Sequence, residues 1–281
     1  MNVFVTGATG KVGSRFVPRM LQRGHHVKLL VRDTAKADWL HQQGAEVLEG
    51  DLLQPDNYVG ALRGTDAVIH LAAQFRGVDE HTTKISNFDG SIALAHAALQ
   101  TDVPRFVFSS TNNVYGAGDH SRPNREDDEL RPAYHPYPQS KADAEEALLQ
   151  LHREQGLGVR IVRLPFVYGE RDPHITESLP FFRNWNPAKR IHMAHHADVS
   201  QALMLAAAAP GIDGRIYNVA DDAPISVAEL LQLHNSEISP DALQQDFHPW
   251  DQVVDTTRIR EELNYRPIYP SFYSARDAGA I

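Results

Sequence analysis

Tyr137-Pro138-Gln139-Ser140-Lys141 places a phenol and an ammonium four residues apart at what reads as the start of a helix. At that spacing the two side chains share one helical face. A free tyrosine has a pKa of roughly 10 and is a poor proton donor or acceptor near neutrality. A fixed cation beside it favours the phenolate, lowers that pKa and makes the tyrosine a usable acid–base group. The pair alone is a weak signal, because Tyr-x-x-x-Lys recurs by chance on amphipathic helices. Its meaning depends on the elements that would bring other groups to it.

Val3-Phe4-Val5 reads as a buried strand. Gly7, Gly10 and Gly13 then punctuate Thr6-Gly7-Ala8-Thr9-Gly10-Lys11-Val12-Gly13, and Phe16, Val17, Met20 and Leu21 follow at helical spacing up to Gly24. A glycine turn between a strand and a helix suits a pyrophosphate, which can approach the backbone and the helix N-terminus. The first interval is one residue longer than in the common dinucleotide fingerprint. His26 to Val31 is a second predicted strand, followed by Arg32 and Asp33. An acidic residue at this point bonds the ribose of NAD, whereas an arginine suits the extra phosphate of NADP. Arg32, with Lys11 nearby, places NADP ahead of NAD; the competing reading leaves Arg32 in solvent and gives the ribose to Asp33.

Further strands are predicted over Ala45–Glu49, Asp66–Ala73, Arg105–Phe108 and Val159–Arg163. Helices are predicted over Tyr58–Leu62, about His81–Gln100 and from Tyr137 onward. Alternating strands and helices predict an α/β fold with a doubly wound parallel sheet. Ligands of such sheets sit beyond the carboxyl ends of the strands. The glycine loop, Arg32, Asp51-Leu52, Leu71-Ala72-Ala73 and Ser109 to Thr111 all fall there. Asp51 could meet an adenine amino group or cap the next helix. After Arg163 the pattern fragments, with aromatic residues Phe181, Phe182 and Trp185 between prolines, helices near Asp198–Ala208, Val227–Leu233 and Thr257–Leu263, and a strand over Arg215–Val219. This half reads as a small cap, with a loosely ordered tail after Pro267. The expected division is a dinucleotide domain over 1–165 and a cap over 166–281, with about 192–220 returning to the sheet.

The balance of 27 basic and 36 acidic residues gives a net charge of −9, which disfavours nucleic-acid binding. The absence of cysteine excludes thiol catalysis and thiolate metal sites. No apolar run is long enough for a membrane helix and no secretion signal opens the chain, so a cytoplasmic location is expected. His192, His195 and His196 near Asp198 are read as structural, with Asp198 capping the following helix and no metal bound. Arg122 to Asp128 is read as a solvated loop. No nucleophile-elbow sequence accompanies Ser109, Thr111 and His70, which disfavours a serine hydrolase.

In this order and spacing, the motifs resemble the extended short-chain dehydrogenase/reductase superfamily, the NAD-dependent epimerase/dehydratase group. They are the Thr6–Gly13 loop, His70-Leu71-Ala72-Ala73, Asn87-x-x-Gly90-Ser91 and Ser109-Ser110-Thr111. They continue with Tyr137-x-x-x-Lys141, Arg163-Leu164-Pro165, Val167-Tyr168-Gly169 and Tyr217-Asn218-Val219. The resemblance implies a Rossmann-type sheet with a C-terminal substrate-binding cap, and a catalytic set of Thr111, Tyr137 and Lys141. In it Thr111 bonds the substrate oxygen, Tyr137 is the acid–base group, and Lys141 bonds the nicotinamide ribose and depresses the Tyr137 pKa. It carries Gly7, Thr9, Gly10, Lys11, Val12, Gly13, Arg32, Asp51, Leu52, Leu71, Ala72, Ala73, Ser109, Leu164 and Pro165 to the cofactor. Pairing into a homodimer through the long helices is a further expectation from the resemblance.

Two departures bear on substrate. Dehydratases of the group carry an Asp-Glu pair after the catalytic Thr, whereas Asn112 and Asn113 stand here, which argues against water loss. The asparagine that helps hold a nucleotide-sugar pyrophosphate is replaced by Phe166, which suits a smaller or less polar small-molecule substrate. The aromatics that follow could serve that substrate or simply pack the cap. The expected activity is an NADP-dependent carbonyl reductase or secondary alcohol dehydrogenase. The alternatives are an NAD-dependent nucleotide-sugar epimerase and a non-catalytic dinucleotide sensor.

Overall fold

The structure is a computed structural model that describes residues 1–118, 121–132 and 135–281. The chain forms two compact units. One comprises Met1–Thr111, Tyr134–Arg163 and Ser200–Ile216; the other comprises Asn112–Ala133, Leu164–Val199 and Tyr217–Ile281.

The first unit is built on parallel strands. β1 (Asn2–Thr6) leads through the glycine turn into α1 (Gly13–Gln22), and β2 (His26–Val31) follows. A short α2 (Asp38–His41) precedes β3 (Glu46–Glu49), and β4 (Ala67–His70) comes next. α3 (Glu80–Lys84) and α4 (Gly90–Gln100) are joined by a π-helical turn over Ile85–Asp89. β5 (Phe106–Thr111), α5 (Pro136–Gln155) and β6 (Val159–Leu164) complete the pattern. The later segment Ser200–Ile216 supplies most of α7 (His196–Ala208) and the first residue of β10 (Ile216–Asn218). The sheet order is β10-β6-β5-β4-β1-β2-β3, and β1 pairs in parallel with β2 and β4. The order reverses beside β1, which makes the ends of β1 and β4 the switch point at which ligands bind in such sheets.

Burial explains the strand composition. β4, β5 and β6 are covered on both faces, so apolar residues run through them without alternation, whereas the edge strand β3 is partly exposed. Phe4, Val68, Phe106, Phe108, Leu148 and Ile161 meet in the core. Two arginines break the apolar run of β6, and each is neutralised internally. Arg160 bonds Asp213 at 3.0 Å and the Ala206 carbonyl at 2.8 Å. The predicted helix at Tyr58–Leu62 is instead a 3-10 turn over Val59–Leu62 after another over Pro55–Asn57. Pro55 and Gly60 leave too few residues to propagate an α-helix there.

The second unit begins with β7 (Phe166–Tyr168), α6 (His174–Phe182), β8 (Arg190–Ile191) and β9 (Met193–His195). β11 (Ile225–Ser226), α8 (Val227–Leu233), α9 (Thr257–Leu263) and α10 (Phe272–Asp277) follow. β7 pairs with β9, and β8 with β11. Phe182, Met193, Leu230 and Phe272 share its core, with Phe166 and Trp185 packed against it. The aromatics Phe166, Phe182 and Trp185 therefore serve packing, and only Phe181 of the group stands out at 56% exposure.

Three expectations for this unit change. The tail after Pro267 is ordered: α10 opens with a Ser271–Ser274 capping box and buries Phe272 and Ala275. Asp198 lies inside the first turn of α7 and not ahead of it, and its carboxylate accepts from the backbone N–H groups of Ile268 at 2.5 Å and Tyr269 at 3.3 Å. The run from Arg122 to Asp128 is not merely solvated. Arg122 grips Asp128 through two bonds of 2.9 and 2.7 Å, and buried Glu126 accepts from the Asn218 N–H at 2.9 Å. Among the described residues no helix is long and apolar enough to cross a membrane.

Candidate active site and cofactor cleft

The glycine turn after β1 forms one wall of a cavity of about 470 Å³ in the first unit. Gly7 has φ +74°, and a Cβ there would lie 2.4 Å from the Ala72 nitrogen. The turn thus presses directly on the chain leaving β4. A Cβ on Gly13 would lie 2.2 Å from the Gly7 oxygen, so the start of α1 is equally intolerant of a side chain. Val12 occupies the N-cap of α1 without a side-chain cap, which leaves the first turn without a competing internal anion.

Thr9, Gly10, Arg32, Asp51, Leu52, Leu71, Ala72 and Ala73 line the same cavity. This brings together most residues anticipated at the strand ends. Arg32 and Asp33 diverge: Arg32 is on the cavity wall, while Asp33 accepts from the Ala35 N–H at 3.1 Å and lies 3.7 Å from Lys36. Asp51 likewise uses one oxygen on the Leu53 N–H, at 2.9 Å. Ser109 donates to the His70 carbonyl at 2.9 Å, so its hydroxyl ties β5 to β4. Lys11, Val12 and Gly13 continue the turn into α1, while Leu164 ends β6 and Pro165 separates it from β7. The cavity also takes Gln74, Thr82, Ile85 and Ser86 from the chain around α3, which periodicity alone did not mark.

A dinucleotide fits these residues. The turn is stripped of side chains where a pyrophosphate would lie, small residues follow β4, and one cation stands at the end of β2. Bound there, a nicotinamide supplies hydride transfer.

The three residues expected to be catalytic come from β5 and α5. Thr111 ends β5, and its side chain hydrogen-bonds that of Tyr137 in the first turn of α5. His135 caps α5 by accepting from the Tyr137 N–H at 3.3 Å. Tyr137 keeps part of its surface exposed, but its hydroxyl faces the interior. Lys141 is buried one turn further on, with Nζ 4.2 Å from the centre of the Phe108 ring. Its Nζ has no hydrogen-bond partner among the described residues.

The electrostatics correct one expectation. Burial pushes the Tyr137 phenol up to about 12, and the bond from Thr111 only partly offsets this. Burial also draws Lys141 down to about 7, against the favourable charge of Glu145. Desolvation penalises the charged form of both groups, so it outweighs the depression of Tyr137 by Lys141 expected from their spacing.

A hydrogen-bond chain underlies the set. The Thr6 hydroxyl meets His70 Nδ1 at 2.6 Å, and His70 Nε2 meets the Ser91 hydroxyl at 2.8 Å. Ser91 donates to the Asn87 carbonyl at 2.6 Å, Asn87 donates to the Ser140 hydroxyl at 3.0 Å, and Ser140 donates to the Tyr137 carbonyl at 2.9 Å. Asn87 also exchanges bonds with the backbone of Gln74 at 2.7 and 3.0 Å. The π-turn places Asn87 where it can meet both the chain after β4 and α5.

In the second unit the three histidines have separate partners. His192 Nε2 lies 3.0 Å from the Asp221 carbonyl, His195 Nε2 lies 2.8 Å from the Ala280 carbonyl, and His196 Nε2 lies 2.7 Å from Asp172.

Comparison with known proteins agrees with this geometry. The sequence profile of the NAD dependent epimerase/dehydratase family matches residues 3–220. The chain is 29% identical over 246 residues to 4-hydroxy-2-methyl-3-oxo-4-farnesyl-3,4-dihydroquinoline-1-oxide ketoreductase of Stigmatella aurantiaca, covering 83% of this chain and 72% of that one. Its likeness to photosystem II assembly factor Ycf39 of Trieres chinensis reaches 39% identity but spans only 114 residues, 41% of this chain and 35% of that protein. Among solved structures, the dTDP-glucose 4,6-dehydratase DesIV of Streptomyces venezuelae, with NAD and TYD bound, superposes with a TM-score of 0.80 at 25% identity, covering 99% of this chain and 97% of that one. The chain belongs to the NAD dependent epimerase/dehydratase family, within the extended short-chain dehydrogenase/reductases, and is an NAD(P)-dependent enzyme.

Proposed function

We propose that the protein is an NADP-dependent oxidoreductase that reduces a carbonyl compound, or oxidises the matching secondary alcohol, through Thr111, Tyr137 and Lys141. The observation that carries this reading is the division between Arg32 and Asp33. Arg32 stands on the cavity wall, while the Asp33 carboxylate is occupied within its own turn. A cation at that place favours a 2′-phosphate over free ribose hydroxyls. NADP suits a net redox reaction, whereas an epimerase recycles a retained cofactor.

The bonded hydroxyls of Thr111 and Tyr137 can both address one substrate oxygen. Tyr137, held in its protonated form by burial, donates its proton to that oxygen as hydride reaches the carbon, and the product is the alcohol. Lys141 holds the cofactor ribose and supplies positive charge beside the phenol. Asn112 and Asn113 follow Thr111 without a carboxylate, which argues against proton transfers for water loss. The similarity to a ketoreductase over 83% of the chain supports the same direction.

Titration with NADPH and NADH tests the reading. Arg32→Ala is expected to weaken NADPH by about 10- to 100-fold, the loss of one charge-assisted bond, with much less effect on NADH. Equal weakening of both would refute the phosphate role. Nucleotide released on denaturation discriminates further: tightly retained NAD would support the epimerase instead. Tyr137→Phe should lower turnover by about 10²- to 10⁴-fold and leave cofactor affinity intact.

A further inference from the structure

Lys141 is 1% exposed, with the Phe108 ring beneath its ammonium. One turn along α5 lies Glu145, also 1% exposed, on the same helical face. Arg163 of β6, 2% exposed, grips its carboxylate from the sheet side: Nε donates to the two oxygens at 3.0 and 3.2 Å, and Nη2 donates at 2.6 Å. A buried carboxylate held at three points cannot rotate away.

We propose that Glu145, fixed by Arg163, is a positioning residue whose carboxylate keeps the Lys141 ammonium charged in a site that excludes water. The other titratable groups around Lys141 offer no negative charge. Tyr137 is held protonated by burial, and His70 is held neutral, with its pKa drawn down to about 3 by burial and by Lys141 itself. Asn87, Ser91 and Thr111 carry no charge. Glu145 is the one group that favours the ammonium against its burial. This inference rests on the reading that Lys141 serves turnover. If the Glu145–Arg163 pair were only a staple between α5 and β6, its loss would move stability and leave Lys141 unaltered.

The test follows the Lys141 side-chain resonance by NMR in isotope-labelled full-length protein, titrated with pH. The wild-type midpoint is expected near 7. Glu145→Gln should lower it by about one pH unit or more, the usual effect of losing a close opposite charge. Removing one partner of a buried pair can unfold a protein. The double variant Glu145→Gln/Arg163→Met removes that hazard and should also titrate below wild type. An unchanged midpoint in a folded variant would overturn the proposal. In parallel, the pH at which NADPH-dependent carbonyl reduction fades on the alkaline side should fall with the Lys141 midpoint. A wild-type protein without such turnover would sink the functional reading, while the resonance would still decide the role of Glu145.

Discussion

The ring of Phe75 stands edge-on to the ring of Tyr137, with centroids 4.7 Å apart and planes at 76°. Phe75 is 37% exposed, and the Arg76 guanidinium lies 4.6 Å from its centre. An exposed aromatic beside the proposed acid–base group can fix the phenol and offer an apolar surface to substrate. Such a pair is worth about 0.5–1.5 kcal/mol. Phe75→Ala is therefore expected to lower kcat/KM for a carbonyl substrate by roughly 2- to 10-fold. Cofactor affinity and unfolding midpoint should change little. A loss of NADPH affinity equal to the loss of kcat/KM would instead assign Phe75 to the cofactor.

Gly7 and Gly10 belong to one turn but should respond differently to alanine. At Gly7 the new methyl meets backbone at 2.4 Å in a left-handed conformation, and neither strand can retreat. Gly7→Ala should cost about 2–4 kcal/mol of stability. At Gly10 the nearest atom is the Gly7 oxygen at 3.3 Å, and the position faces the cavity. Gly10→Ala should fold normally and bind dinucleotide more weakly. Urea unfolding and cofactor titration of the two variants check this; equal destabilisation would contradict the assigned geometry.

What was legible in the sequence depended on locality. β2 was found at its observed bounds because an apolar run between polar turns is a local signal. The predicted helices Val227–Leu233 and Thr257–Leu263 coincide with α8 and α9. The Tyr137–Lys141 spacing and the resemblance at Thr111 pointed to residues that the structure brings to one place, with the Thr111 and Tyr137 side chains hydrogen-bonded. Features made by distant partners were not legible. Asp198 holds backbone some 70 residues away, and a cap was the nearest local explanation. The π-turn at Asn87 follows from bonds to Gln74 and Ser140, and no period in the sequence encodes it. The sign of the Tyr137 shift was missed because spacing reveals a neighbouring charge but not the burial that opposes it. Arg163 read as part of a strand, and its partner Glu145 lies across the sheet–helix layer.

The C-terminal helix makes a stability prediction. Phe272 is 1% exposed in the core of the second unit, with its ring 5.2 Å from that of Tyr168. Truncating a buried phenylalanine removes its transfer free energy and leaves a cavity. Phe272→Ala should destabilise the protein by about 3–5 kcal/mol. Tyr273 on the same helix is 37% exposed, and Tyr273→Ala should cost much less. Chemical denaturation of both variants separates an integral helix from a loosely attached tail; equal and small effects would indicate the latter.

His70 gives stability a pH dependence of definite sign. The ring is fully buried between Thr6 and Ser91, and burial lowers its pKa from 6.5 to about 3. Between those values the unfolded chain binds a proton that the native ring refuses, so stability falls as pH falls below 6.5. The contribution is about 1.4 kcal/mol per pH unit. His192, drawn down to about 4, has the same sign, whereas Asp221, raised to about 8, has the opposite sign, so the two offset each other between pH 4 and 6.5. A variant isolates the His70 contribution from these. His70→Asn keeps a short polar side chain between Thr6 and Ser91 but does not titrate. The unfolding free energy of wild type minus that of His70→Asn should fall by about 1.4 kcal/mol per unit as pH is lowered from 6.5 to 5. Urea unfolding at several pH values measures the difference. A constant difference across that range would mean that His70 is protonated in the native state, and that its bonds to Thr6 and Ser91 are made by the charged ring.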